Sequence, residues 1–125
     1  MKLNKHQIEL LAIKIMLLLI KYDLYFSCKI LFNNKAICIN DCDPIASLTI
    51  VYDVDPKDYI LYPGIISLMH DGGDLRSEIF LGEGTENDRR FIDELETLLE
   101  DNGLFVDIIN CYTESIYYIN SDLDV

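Results

Sequence analysis

The apolar positions change their period three times along the chain, and each change marks a new element. Ile8, Leu10, Leu11, Ile13 and every position from Ile15 to Ile20 are apolar. At about 100° per residue they cover nearly the whole circumference of a helix and leave Gln7, Lys14 and Lys21 as its polar stripe. Asn4, followed three residues later by Gln7, is a capping pattern, so the helix is expected to run from there to about Lys21. A helix apolar on most sides is either buried on most sides or joined to a second copy. The sequence allows a homodimer through Leu10 and Leu17 of this helix.

From Leu24 the period becomes two. Leu24, Phe26, Cys28, Ile30 and Phe32 alternate with Tyr25, Ser27 and Lys29, which predicts an amphipathic strand. The Asn33-Asn34-Lys35 turn returns the chain as a hairpin partner through Ala36–Ile39. Leu48, Ile50, Tyr52 and Val54 alternate again and predict a third strand, with a short extended piece at Tyr59–Tyr62. Gly64–His70 and Leu75–Leu81 flank Asp71-Gly72-Gly73-Asp74, a pattern expected for a hairpin with glycines in its tight turn. Leu104–Ile109 and Ser115–Ile119 predict two final strands, and the last residues, including Asp122, are expected to fray.

Between the two strand runs the helical period reappears. Phe91, Ile92, Leu95, Leu98 and Leu99 fall in an arc of about 120°. Thr85 and Asp88 form a capping pattern before them, and Asn102-Gly103 supplies the stop. The expected architecture is a single α+β domain over residues 1–125. It comprises an N-terminal apolar helix, an antiparallel sheet of about five to seven strands, and one acidic helix before the last two strands.

Charge sharpens this picture. The chain carries a net charge of −12, unevenly placed. Residues 1–40 hold six lysines against Glu9 and Asp23, a net +4; residues 41–125 hold twenty carboxylates against Lys57, Arg76, Arg89 and Arg90, a net −16. Such a field repels nucleic acid and anionic membrane and attracts basic partners. The second helix carries Asp93, Glu96 and Glu100 along one flank and Glu94 and Asp101 along the other. Glu100 and Asp101 crowd the C-terminal turn, where the helix dipole disfavours anions. No lysine or arginine follows Arg90. A solvated outer face accounts for much of this run, but an anionic helix end with no compensating base also suits an interaction surface.

The remaining motifs carry less. His70, Asp71, Asp74 and Glu78 lie close in sequence and suggest a hydrolase centre, yet the hairpin turn explains the same residues. Cys38 and Cys42, with Asp41 and Asp43, supply one close pair where zinc sites commonly use two. Cys28 and Cys111 sit in apolar runs as small hydrophobes. Asp53 and Asp55 begin a calcium-loop pattern that fails at Lys57, Asp58 and Gly64. The sequence therefore predicts no catalytic residue, metal ligand or cofactor. The N-terminal apolar stretch is interrupted by Glu9 and Lys14 and lacks a small-residue cleavage site, so a reduced cytoplasmic protein is expected.

These observations together predict a non-enzymatic acidic inhibitor that occupies the basic, nucleic-acid-binding surface of a partner protein. Viral and phage anti-defence proteins, including anti-CRISPR and anti-restriction inhibitors, work in this way. An immunity protein that neutralises a toxin nuclease, or a non-catalytic viral assembly protein, is the alternative. The predicted partner-binding carboxylates are Asp93, Glu94, Glu96, Glu100, Asp101, Asp107, Glu114, Asp53, Asp55 and Asp58, with tyrosines interleaved among them. The partner is expected to be a nuclease or another nucleic-acid-binding protein, with no direct contact to nucleic acid or membrane.

Overall fold

A computed structural model describes residues 2–39, 43–45, 47–71 and 73–119. Two helices pack on one face of a six-stranded antiparallel sheet, an α+β fold. Helix α1 (Lys5–Lys21) leads to β1 (Cys28–Phe32), β2 (Lys35–Ile39), β3 (Leu48–Tyr52) and β4 (Ile66–His70). Helix α2 (Glu86–Asp101) follows, then β5 (Leu104–Asn110) and β6 (Thr113–Tyr118). The strand order is β3-β2-β1-β4-β6-β5.

Local chemistry sets the element ends. Asn4 and Gln7 close a reciprocal capping box on α1, and Thr85 and Asp88 close one on α2. The Asn33-Asn34 turn places both residues at positive φ, 48° and 59°, the conformation that a two-residue hairpin needs and asparagine tolerates. Gly103, at φ 72°, ends α2 and turns the chain directly into β5.

The helix-side face of the sheet presents Cys28, Ile30, Phe32, Ile37, Ile66, Leu68 and Ile116 to a core completed by Ile15, Met16 and Leu19 of α1 and by Phe91, Leu95 and Leu99 of α2. The opposite face holds a smaller cluster of Leu31, Ala36 and Ile60, packed by Cys38, Val54 and Met69. The segment between β3 and β4 supplies Val54 and Ile60 and so covers that second face.

Four sequence expectations change. The first strand begins at Cys28 rather than Leu24, because Asp23 and Ser27 take positive φ (58° and 61°) and break the extended run. Residues 75–81 do not pair with β4. Both edges of β4 are occupied, by β1 and β6, and Ser77–Leu81 instead forms a 3-10 helix ending at Gly82. Tyr59–Tyr62 is not a strand; it follows a 3-10 turn at Pro56–Asp58 that Asp55 caps through the Lys57 amide. Helix α1 is less enclosed than its sequence implies, since Leu10 is 46% and Leu17 43% exposed. Among the described residues, no helix is long and apolar enough to cross a membrane.

Candidate functional site

Helix α2 lies over β5 and beside α1. Its buried stripe (Asp88, Phe91, Leu95, Leu99) fixes the direction of every other side chain. The flank toward α1 is identified by Glu94, whose Oε1 lies 2.7 Å from Lys21 Nζ and also accepts from the Tyr22 hydroxyl. The hydrogen bond from Lys21, and then that from Tyr22, holds the Glu94 carboxyl below the usual glutamate value. Lys21 and Tyr22 are each raised, first by their hydrogen bonds to Glu94. Glu94 is thus committed to an internal contact.

Asp93, Glu96 and Glu100 lie on the outward side, within an arc of about 60° at 100° per residue. Asp101 extends the acidic end on the α1 flank. All four are exposed, and none has an ion-pair partner among the described residues. From Asp93 to Glu100 the axis advances about 10 Å, giving one outward charge per about 5 Å. One strand of DNA presents a charge about every 3.4 Å. The only intrahelical ion pair among the described residues, Arg90 to Glu86 at 3.0 Å, sits at the other end of α2. The last turn contains no basic residue.

The other predicted carboxylates do not share this surface. Asp107 stands opposite Ser115 in the β5–β6 register, on the sheet face away from the helices. Asp53, Asp55 and Asp58 are exposed on the segment covering that same second face, and Asp55 spends one oxygen on the Lys57 amide. One flat partner surface cannot meet both sides of the sheet, so nine of the ten predicted residues divide into two groups, five on α2 and four on the far face.

Glu114 leaves the surface set altogether. It is 0% exposed and lies inside the main core. Its position opposite Leu68 makes it a diagonal cross-strand neighbour of His70, and both point toward the helices. His70 Nε2 lies 2.8 Å from Glu114 Oε1 and 2.9 Å from Oε2, while the Ser77 hydroxyl donates to Oε2 at 2.6 Å. An ionised Glu114 accepts both contacts, which requires the His70 proton on Nε2. Ser77 Oγ also lies 2.9 Å from the Asn110 carbonyl.

This cluster ties the 3-10 helix to β4, β5 and β6. It explains why residues 75–81 hold their place without a strand ladder. Sequence proximity suggested Asp71, Asp74 and Glu78 as the partners of His70; all three are exposed, and the actual partner comes from 44 residues away. The order is serine to glutamate to histidine. The Ser77 proton is aimed at acceptors other than the imidazole, so this is not the serine-to-histidine relay of a nucleophile and its base. Burial, aided by the Glu114 charge, pushes the neighbouring Cys28 thiol up to about 12. That thiol donates to the Leu24 carbonyl at 3.2 Å and behaves as core.

Cys28, Cys38 and Cys111 are free thiols. Asp41, Cys42 and Asp122 lie outside the described residues. Among the described residues, no group of three metal-ligating side chains converges. The chain matches no protein-family model, no curated protein and no solved structure.

Proposed function

We propose that the protein is a non-catalytic acidic inhibitor whose α2 face, at Asp93, Glu96, Glu100 and Asp101, occupies the basic nucleic-acid-binding surface of a partner. One observation carries this reading. Three exposed carboxylates with no ion-pair partner among the described residues line one outward arc of α2, with Asp101 at its end, at a charge spacing of the same order as that of a phosphate strand. The net charge of −12 adds long-range attraction to a basic partner and speeds encounter. Asp107 and the 53–58 segment reinforce the field from the far side of the sheet and make no direct contact. The setting that suits such an inhibitor is viral or phage anti-defence. Neutralisation of a toxin nuclease would use the same surface.

A tagged pull-down from the native host tests the reading, comparing the wild-type chain with Glu96→Lys/Glu100→Lys. Both side chains are solvated, so the double variant keeps the fold. Wild type should retain a nucleic-acid-binding protein that the variant loses. Equal recovery by both chains would remove α2 from the interface.

Helix α1 supports an additional proposal of self-association. Leu10 and Leu17 are seven residues apart, fall on one stripe and are both partly exposed. Light scattering that shows a dimer at high salt, and a monomer for Leu17→Glu, would support it; a wild-type monomer at high concentration would exclude it.

A further inference from the structure

Strand β5 forms one edge of the sheet. It pairs with β6 alone, in register from Leu104 to Ile108, before the irregularity between Ile108 and Asn110. Among the described residues, no backbone hydrogen bond reaches the outer side of this stretch. Its outward N–H and C=O groups therefore form a template on which another strand can pair, along roughly 17 Å of chain. Neither proline nor lysine blunts the run from Leu104 to Ile108.

Helix α2 overhangs this edge. It packs on β5, while α1 packs on β1 and β2, nearer the middle of the sheet. The α2 flank away from α1 thus lies on the edge side. Glu94 marks the α1 flank, and at 100° per residue Glu96 and Glu100 stand about 160° and 120° from it. Both are exposed and have no ion-pair partner among the described residues. They lie about 6 Å apart along the axis. Alternate residues of a strand point to one face and are about 6.6–6.8 Å apart. A strand laid along β5 with a basic residue at every second position therefore matches both carboxylates at once. Its other side chains fall on the second face, beside the partly exposed Phe105. Like charge opposes the other occupants. A second copy paired here would bring its own Glu96, Glu100 and Asp107 against the same residues, and nucleic acid would meet the same field.

We propose that the β5 edge receives an extended segment of the basic partner as an added strand, with lysine or arginine at alternate positions set against Glu96 and Glu100. Backbone hydrogen bonds along Leu104–Ile108 hold the segment, and the two carboxylates select its sequence. Strand addition rests on the reading of α2 as the face that meets a basic partner, and extends it. The sheet edge joins the interface, and the partner's contact is a strand rather than a folded basic patch.

The test is a titration of the ¹⁵N-labelled chain with two peptides of the same composition, followed by backbone amide shifts. One peptide alternates lysine with valine; the other carries its lysines in a single block. The alternating peptide should give saturable shifts along Leu104–Ile108. It should bind at least about tenfold more tightly than the block peptide, because ladder bonds add to the charge pairing. N-methylation of its backbone amides should remove that advantage. Glu96→Gln/Glu100→Gln, at solvated positions, should weaken the alternating peptide by about threefold to tenfold. Equal affinity for the two peptides, undiminished binding after N-methylation, or shifts confined to α2 would overturn strand addition and leave the acidic-face reading standing. Unchanged affinity in Glu96→Gln/Glu100→Gln would overturn the α2 contact, and with it the reading on which strand addition rests.

Discussion

Replacing Glu114 with leucine should destabilise the protein more than any change on the acidic surface. The carboxylate is fully buried and bonds His70 at 2.8 and 2.9 Å and Ser77 at 2.6 Å. Ser77 has a fallback, because the Asn110 carbonyl lies 2.9 Å from its hydroxyl. His70 has none for Nε2 among the described residues, so a buried N–H would be left unpaired. A charge-assisted bond is worth about 1.5–3 kcal/mol and a stranded buried donor costs about 1–3 kcal/mol. Leucine is close to glutamate in size, so no large cavity adds to that figure.

Urea denaturation followed by circular dichroism measures the change. The expected loss is about 3–5 kcal/mol, or roughly 10–25 °C in Tm for a domain of this size. The double variant His70→Leu/Glu114→Leu removes both partners and should recover at least about 1 kcal/mol relative to Glu114→Leu alone, since no orphan remains. A Glu114→Leu protein within about 0.5 kcal/mol of wild type would refute the buried pair, as would a double variant whose cost is the sum of the singles.

Other outcomes follow from the same geometry. The Cys28 thiol is raised from 9.0 to about 12, so it stays protonated in the fold; that contribution to stability is present below pH 9 and is lost as pH rises toward 12. At pH 8 a thiol reagent should therefore modify exposed Cys111 and spare Cys28 until unfolding, and equal rates by peptide mapping would contradict the burial. Glu94 is lowered from 4.5 by Lys21 and Tyr22, so its stabilising effect is present above that value and fades as pH falls through the folded pKa. The stability gap between wild type and Glu94→Gln should narrow as pH falls below 4.5, and a gap that does not narrow at all across the acid range would show that the contact is not electrostatic. Gly64→Ala would place a Cβ 2.1 Å from the Ile116 carbonyl oxygen and should cost about 1–3 kcal/mol in the same urea assay; a neutral effect would mean that the segment yields freely.

The two helices were legible in the sequence because their signals are local. A capping box at Asn4 and Gln7, another at Thr85 and Asp88, and an uninterrupted apolar stripe each specify an element without help from the rest of the chain. Pairing is not local, and there the sequence misled. Ile66–His70 and Leu75–Leu81 look like two arms of a hairpin, but the second arm could not know that β6 would take the edge of β4. The same blindness affected the site. Glu114 resembles the other carboxylates of an acidic strand, and only the register that sets it beside His70 turns it into a core group. Alternation held a hint: Glu114 shares its strand face with apolar Ile116, an inward phase.

The central claim is that the α2 carboxylates replace nucleic acid on a basic partner, and competition tests it most directly. With the partner recovered from the host, binding of a labelled oligonucleotide is followed by fluorescence anisotropy as wild type or Glu96→Lys/Glu100→Lys is added, at low and at physiological salt. Wild type should displace the oligonucleotide completely. Its own affinity should fall at least about tenfold as salt rises, and the charge-reversed chain should displace nothing. A ternary complex of partner, oligonucleotide and protein, or displacement by the charge-reversed chain equal to that by wild type, would contradict the account.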